Sequence, residues 1–155
     1  MLNRKTKNKK GVIDLKKRVL YIEPVVSKLV DSWKDYLSQF KDSETDLEVT
    51  SLTKGHRHLE YYFYGALVVP KILKIVKEAE KENIDAVIIG CFYDPGLREA
   101  REIVEKLVVT APTEASMHIA VTLWQRFSVI VRRTKWIPLM RENVIKLCDV
   151  LAIDV

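Results

Sequence analysis

The sequence predicts an α/β fold: three layers, with a parallel sheet carrying helices on both faces. Three observations predict it. Short apolar runs alternate with stretches of helical periodicity along residues 18–153, which is the pattern of consecutive strand-helix-strand units. One run, Ala86-Val87-Ile88-Ile89-Gly90, is apolar at successive positions, as a strand covered on both faces requires. Finally, 48% of the 155 residues are apolar and 30% are charged, enough to fill one core and to exclude wholesale disorder.

The elements follow in order. Residues 1–18 hold eight of the 26 basic residues and one acid, a net +7, while the other 137 residues carry 18 basic and 20 acidic groups, a net −2. Residues 1–17 are therefore expected to form a basic, flexible tail. The overall +5 belongs to the tail, and a nucleic-acid module is not expected, because residues 19–155 are net acidic and carry no stripe of basic and aromatic side chains. Arg18-Val19-Leu20-Tyr21-Ile22 reads as a strand that stops at Glu23-Pro24. Val26, Leu29, Val30, Trp33, Leu37 and Phe40 recur at spacings of three and four, one apolar face of a helix. Residues 46–52 suit a second strand, and residues 53–64 a loop rich in histidine and tyrosine. Val69, Ile72, Leu73, Val76 and Ala79 mark a second helix.

After the strand at Ala86, Asp94 followed by Pro95 reads as a helix N-cap and first helical position. The helix then carries Leu97, Ala100, Val104 and Leu107. Leu107-Val108-Val109 is a short strand, and Pro112-Thr113 opens a helix through Met117, Ala120 and Leu123. Residues 127–131 are expected to form a fifth strand, 135–147 a fifth helix and 150–153 a sixth strand. Trp33, Trp124 and Trp136 lie in or near these stripes and are expected in the core.

Several function classes are excluded at this level. No apolar run approaches the ~20 residues that span a bilayer, and no apolar run of signal-peptide type follows the basic start. Cys91 and Cys148 are too few for a disulfide framework, so a reducing, cytoplasmic setting is expected. His56, His58 and Glu60 give only a weak metal signal, and no metal is expected. Glu114 and His118, four residues apart, read as a helix-stabilising pair.

Parallel α/β sheets bind ligands beyond the carboxyl ends of their strands. That rule points to Glu23-Pro24-Val25, Cys91-Phe92-Tyr93-Asp94 and Thr110-Ala111-Pro112-Thr113-Glu114. Cys91 ends a strand just before a helix start, whose positive end lowers a thiol pKa and makes a nucleophile or base. On position alone a small buried apolar residue is the commoner reading.

The run Cys91-Phe92-Tyr93-Asp94-Pro95-Gly96-Leu97-Arg98-Glu99-Ala100-Arg101 resembles the first-cysteine motif of the hydantoin racemases, in the aspartate/glutamate/hydantoin racemase family. Leu59-Glu60 with Ala66-Leu67-Val68-Val69-Pro70, then Val108-Val109 with Glu114-Ala115-Ser116-Met117-His118-Ile119-Ala120, then Arg126-Phe127-Ser128-Val129-Ile130 resemble it in the same order. The resemblance covers about residues 19–147. It implies an aspartate/glutamate racemase-like lobe and proton transfer at a carbon next to a carbonyl, without cofactor or metal. The small-molecule substrate it implies is an amino acid or a 5-substituted hydantoin. Cys91 matches the first of two facing catalytic cysteines. Phe92 and Tyr93 would offer backbone N–H groups to the substrate, and Glu23-Pro24 would line it.

The sequence also departs from that pattern. The family's second cysteine lies in a Gly-Cys motif of a second lobe, whereas Cys148 sits in Leu147-Cys148-Asp149 and reads as core. Glu23-Pro24-Val25-Val26 stands where an Asn-Pro-Asn-Thr-like turn is usual, and Val131-Arg132-Arg133 where a pair of threonines is usual. The expected organisation is thus a tail (1–17), a first lobe with Cys91 (18–123) and the start of an incomplete second lobe (124–155). An impaired racemase that self-associates into a homo-oligomer through exposed strand edges is expected. The alternatives are a non-catalytic ligand-binding or partner-dependent half-enzyme, or a one-cysteine decarboxylase or isomerase relative.

Overall fold

The computed structural model describes residues 6–7, 13–14, 16–124 and 126–151, with side chains described for 16–124 and 126–145. Strands β1 (Thr6–Lys7) and β2 (Ile13–Asp14) pair antiparallel, with Thr6 opposite Asp14. Next come β3 (Lys17–Glu23), α1 (Val30–Ser38), β4 (Thr45–Ser51), α2 (Tyr62–Lys81), β5 (Ala86–Ile89), α3 (Leu97–Ile103), β6 (Val108–Thr110) and α4 (Pro112–Leu123). A 3-10 turn (Thr134–Trp136) leads into α5 (Ile137–Leu151). Strands β4-β3-β5-β6, in that order, form one parallel sheet, in which Val19 faces Leu47 on one side and Ala86 on the other. The expected α/β class holds.

Alternation along β3 divides the protein into two faces. Leu20 and Ile22 join Val87 and Ile89 of β5 in a core with Val68, Ile72 and Val76 of α2 and Leu97 and Ala100 of α3. Ile22, Val68, Ile72, Val76, Val87 and Ile89 are fully buried there. Tyr21 points to the other face, its ring 5.8 Å from Trp33 of α1. Right-handed crossovers account for the division, since β3-α1-β4 and β4-α2-β5 run in opposite directions along the sheet. The second face is thinner. None of the α1 residues is buried, and Ala86 and Ile88 of β5 are only half-buried. The continuous apolar run is therefore covered densely on one side alone.

Polar side chains fix the ends of the sheet. The Arg18 N–H donates to Asp85 (2.8 Å), and its guanidinium donates to the Glu82 carbonyl (2.7 Å) and Glu48 (2.7 Å). Arg101 of α3 donates to the Val109 carbonyl (3.0 Å) and makes a two-pronged pair with Glu114 of α4 at 2.9 and 2.6 Å. Bidentate geometry of this kind orients as well as attracts.

Four sequence expectations need correction. The second helix begins at Tyr62, inside the expected loop, because burial of Val68 outweighs the hydrogen bond lost at Pro70. Residues 127–131 form no strand: a strand needs a paired edge and a covering layer, and Ile130 is instead 95% exposed. Val150 and Leu151 belong to α5, not to a sixth strand, while residues 152–153 of that expectation lie outside the described residues. Trp124 is exposed, not in the core, because α4 ends before it and leaves its ring uncovered. The strand edges expected in the second lobe are thus absent among the described residues. One exposed sheet edge is β6, where Val108 faces solvent.

Gly90 is fixed by a neighbour rather than by its own backbone. Tyr21 lies against it and donates a hydrogen bond to its carbonyl at 3.3 Å, and a Cβ at Gly90 would overlap the Tyr21 ring. Gly90→Ala is expected to destabilise by about 1–3 kcal/mol through overpacking. Chemical denaturation should show that cost shrinking in a Tyr21→Ala background, since the two changes share one contact.

Candidate active site at the sheet switch point

Strand β3 has β4 on one side and β5 on the other, so the chain leaves the two central strands in opposite directions. A crevice opens between their carboxyl ends. Glu23, Pro24 and Val25 leave β3 at this point, and Gly90 and Cys91 leave β5. The Gly90 N–H donates to the Ile22 carbonyl (2.8 Å), the Val26 N–H to His56 (2.8 Å) and the Leu52 N–H to Val25 (3.1 Å), which fixes both rims. A cavity of about 200 Å³ lies here, lined among others by Glu23, His58, Cys91, Tyr93, Arg132 and Trp136. The two sequence-predicted segments, Glu23-Pro24 and Cys91 with Tyr93, therefore meet in one site. Phe92 is among the exposed apolar residues, and its carbonyl accepts a hydrogen bond from the Thr113 hydroxyl.

A second, larger cavity of about 620 Å³ lies between α2, α3, α4 and α5. Cys91 does not line it; Leu59, Glu60, Tyr93 and Trp136 line both cavities and so stand between them. Size and chemistry disagree here, and the smaller cavity is the candidate site because it holds the thiol at the switch point. Residues after α4 form its outer wall. The Trp136 indole N–H donates to the Glu60 carbonyl (3.2 Å), its ring meets Tyr93 edge-on at 4.9 Å, and Arg133 pairs with Glu60 at 3.0 Å. Asn143 of α5 donates to the Tyr93 carbonyl at 3.3 Å.

Asp94 does not cap its own helix. It has φ 50, in the left-handed region that aspartate tolerates better than most residues. Gly96, with φ 74, precedes α3 instead. The Asp94 carboxylate reaches α4, where it accepts the N–H groups of Thr113 (2.9 Å) and Glu114 (2.8 Å). These are unpaired donors of a helix N-terminus, so Asp94 caps the next helix along the sheet. The local Asp-Pro signature is overridden by this long-range partner.

The expected lowering of the Cys91 pKa is also overturned. Burial pushes the thiol up to about 11, the nearby Asp94 charge adds to that, and a hydrogen bond from the Tyr93 N–H to the sulfur works against it. Helix α3 starts six residues further on, too far to act within its first turn. The Tyr93 N–H, expected to face substrate, is directed at Cys91 instead. Tyr21 on the adjacent strand is raised to about 12 by burial, with Glu23 and Cys91 adding.

Sequence reasoning missed the Arg101 clamp on Glu114, which holds that carboxyl below its usual range through hydrogen bonding. It also missed that His56 and His58 both pack on Tyr64, the first tilted over the ring with centroids at 3.9 Å and the second edge-on at 5.1 Å. Among the described residues, no group of three or more metal-ligating side chains comes together. No described helix is long and apolar enough to cross a membrane.

A parallel sheet with a thiol in its switch-point cleft defines an α/β protein with a candidate small-molecule site. Its family follows from sequence. The pattern of the Asp/Glu/Hydantoin racemase family matches residues 26–152, and the chain belongs to that family. It is 38% identical over 88 residues to a hydantoin racemase of Pseudomonas sp. (strain NS671), covering 57% of this chain and 35% of that one. A hydantoin racemase of Rhizobium meliloti is 31% identical over 104 residues, 67% and 43% of the two chains. One of Paenarthrobacter aurescens is 32% identical over 115 residues, 73% and 48%. The chain thus spans less than half the length of each of these relatives. The solved structure titled allantoin racemase from Klebsiella pneumoniae shares the fold, with TM-score 0.79 and 23% identity over 86% of this chain and 54% of that one.

In the ligand-free protein, iodoacetamide labelling of Cys91 should be slow at pH 7 and rise with a midpoint near about 11, well above the ~8.5 of a free thiol. A midpoint below ~8.5 would restore the activated thiol that the sequence suggested.

Proposed function

We propose that this chain carries cofactor-independent proton transfer at a carbon next to a carbonyl, on an amino acid or 5-substituted hydantoin, with Cys91 as the acid–base group on one face. The observation that carries the proposal is the place of Cys91: at the carboxyl end of β5, in the switch-point cavity, in a chain of this racemase family. When a base takes the proton from the chiral carbon, the electron pair moves onto the adjacent carbonyl oxygen. A proton returned to the opposite face completes inversion. With its pKa raised, Cys91 is a neutral thiol at neutral pH and is poised to deliver a proton. To remove one, it must first lose its own, and a bound ligand that displaces water and orients N–H donors on the site would shift that balance. Glu23, Pro24, Tyr93 and the backbone at Phe92 are the surfaces proposed to hold the substrate. The side chain of Cys148 lies outside the described residues, and Cys91 is the free cysteine described.

Burial of the thiol also favours a second reading, a ligand-binding protein without turnover. Proton exchange separates the two. In deuterium oxide, deuterium is expected to enter the chiral carbon of an enantiopure substrate faster than optical activity decays, because only one face has a described acid–base cysteine. Cys91→Ser should cut that exchange by about 10²–10⁴-fold. Exchange unchanged by Cys91→Ser would contradict the role of the thiol. Optical decay as fast as deuterium entry, abolished by Cys91→Ser, would contradict the one-face reading and point to a second group supplied across the cleft.

A further inference from the structure

The larger cavity, between α2, α3, α4 and α5, takes no part in the proton transfer proposed for Cys91. Val69 of α2, Leu97 of α3 and Leu139 of α5 give it an apolar lining, and Tyr93 and Trp136 add aromatic rings. At about 620 Å³ it falls within the ~300–1,000 Å³ of clefts that enclose small organic ligands. Gly65 of α2 also lines it, and a Cβ there would meet nothing within 4 Å. The open space therefore reaches the helix backbone.

Positive charge is in excess where α3 meets α4. Arg98 and Arg101 of α3, with His118 of α4, all act electrostatically on the single carboxylate of Glu114, so these lining groups converge. Arg101 is committed to Glu114 through its two-pronged pair, whereas Arg98 forms no ion pair among the described residues. Of the other carboxylates in the lining, Glu60 is held by Arg133 at 3.0 Å, and Asp94 accepts two α4 amide hydrogens. Lys135 is a further cation without an ion pair among the described residues, its ammonium 3.5 Å from the centre of the Tyr61 ring. The uncommitted charges of the lining are thus Arg98 and Lys135 against Glu99 alone.

We propose that this cavity is a second ligand site, separate from the Cys91 cavity, which takes an amphipathic organic anion: an aromatic body carrying one carboxylate. The body packs among Val69, Leu97, Leu139 and the two rings, and burial of its surface supplies most of the affinity. The carboxylate meets Arg98, whose planar guanidinium offers paired N–H donors. An exposed ion pair adds little binding on its own, so Arg98 sets the preferred charge rather than the strength. A neutral body of the same shape gains only the packing, and a cationic one meets Arg98 and Lys135 as like charges. The assignment does not depend on the acid–base reading of Cys91.

Calorimetric titration with 2-naphthylacetate, 2-naphthylacetamide and 2-naphthylethylamine reads the site without turnover. The carboxylate is expected to bind about 5-fold more tightly than the amide, with the amine weakest. Arg98→Gln should remove that preference, weakening the carboxylate about 5-fold and leaving the amide unchanged. Gly65→Phe places a ring in the open space and should weaken both by about 10-fold or more. Replacing a helical glycine favours α2, so its denaturation midpoint should stay at or above that of the unmodified protein. Cys91→Ser, in the smaller cavity, should change the affinity for the carboxylate by less than about 2-fold. No binding of the carboxylate, an amide that binds as tightly, or a preference that survives Arg98→Gln would each overturn the proposal. So would a folded Gly65→Phe that binds as before, or loss of binding in Cys91→Ser, which would move the ligand into the smaller cavity.

Discussion

The carboxylate of Asp94 holds two amide hydrogens of α4, those of Thr113 and Glu114, at 2.9 and 2.8 Å. It leaves the end of one strand-helix unit and closes the start of the next helix, 19 and 20 residues away in sequence. To reach, Asp94 takes a left-handed backbone, a conformation that disfavours most side chains but not aspartate or asparagine. The Thr113 hydroxyl returns a hydrogen bond to the Phe92 carbonyl, so the turn is tied at both ends. Phe92 and Tyr93 lie inside this tie, and Cys91 immediately precedes it. The position of the thiol is therefore set less by its own helix than by its neighbour.

The same arrangement sets the chemistry of the thiol. Asp94 is three residues from Cys91, and its charge adds to the burial that raises the thiol pKa. Burial in turn raises Asp94 itself, against the two amide hydrogen bonds and the Thr113 hydroxyl that favour its charged form. Order at the turn and activation of the thiol thus pull in opposite directions. A group with a raised acidic pKa stabilises the fold below its unfolded value and loses that contribution as pH rises through the folded one. For Cys91 this places a loss of stability between the free-thiol value of ~8.5 and about 11.

Much of this fold was legible because its signals are local. Alternating Leu20, Tyr21 and Ile22, the apolar run at Ala86, and the periodicity of Ile72, Val76 and Ala79 each follow from the spacing of one element. The place of Cys91 at a strand end was legible for the same reason. What escaped depends on partners distant in sequence. Asp94-Pro95 has the composition of a helix start, yet its carboxylate finds better donors on α4. His118, four residues on, does act on Glu114 as its spacing suggests, but the stronger partner is Arg101 from α3. Residues 127–131 have the composition of a strand, but composition does not supply a neighbouring edge. One carboxylate oxygen of Glu23, buried without a hydrogen-bond partner among the described residues, appears only once the strand ends are brought together.

Hydrogen exchange at the amides of Thr113 and Glu114 tests the central tie most directly, with the Gly90 amide, bonded to Ile22 within the sheet, as an internal reference. In Asp94→Ala the first two should exchange about 10-fold faster or more, matching the ~1–2 kcal/mol of a lost helix cap, while Gly90 keeps its protection. Unchanged protection at Thr113 and Glu114, or an equal loss at Gly90, would contradict the account.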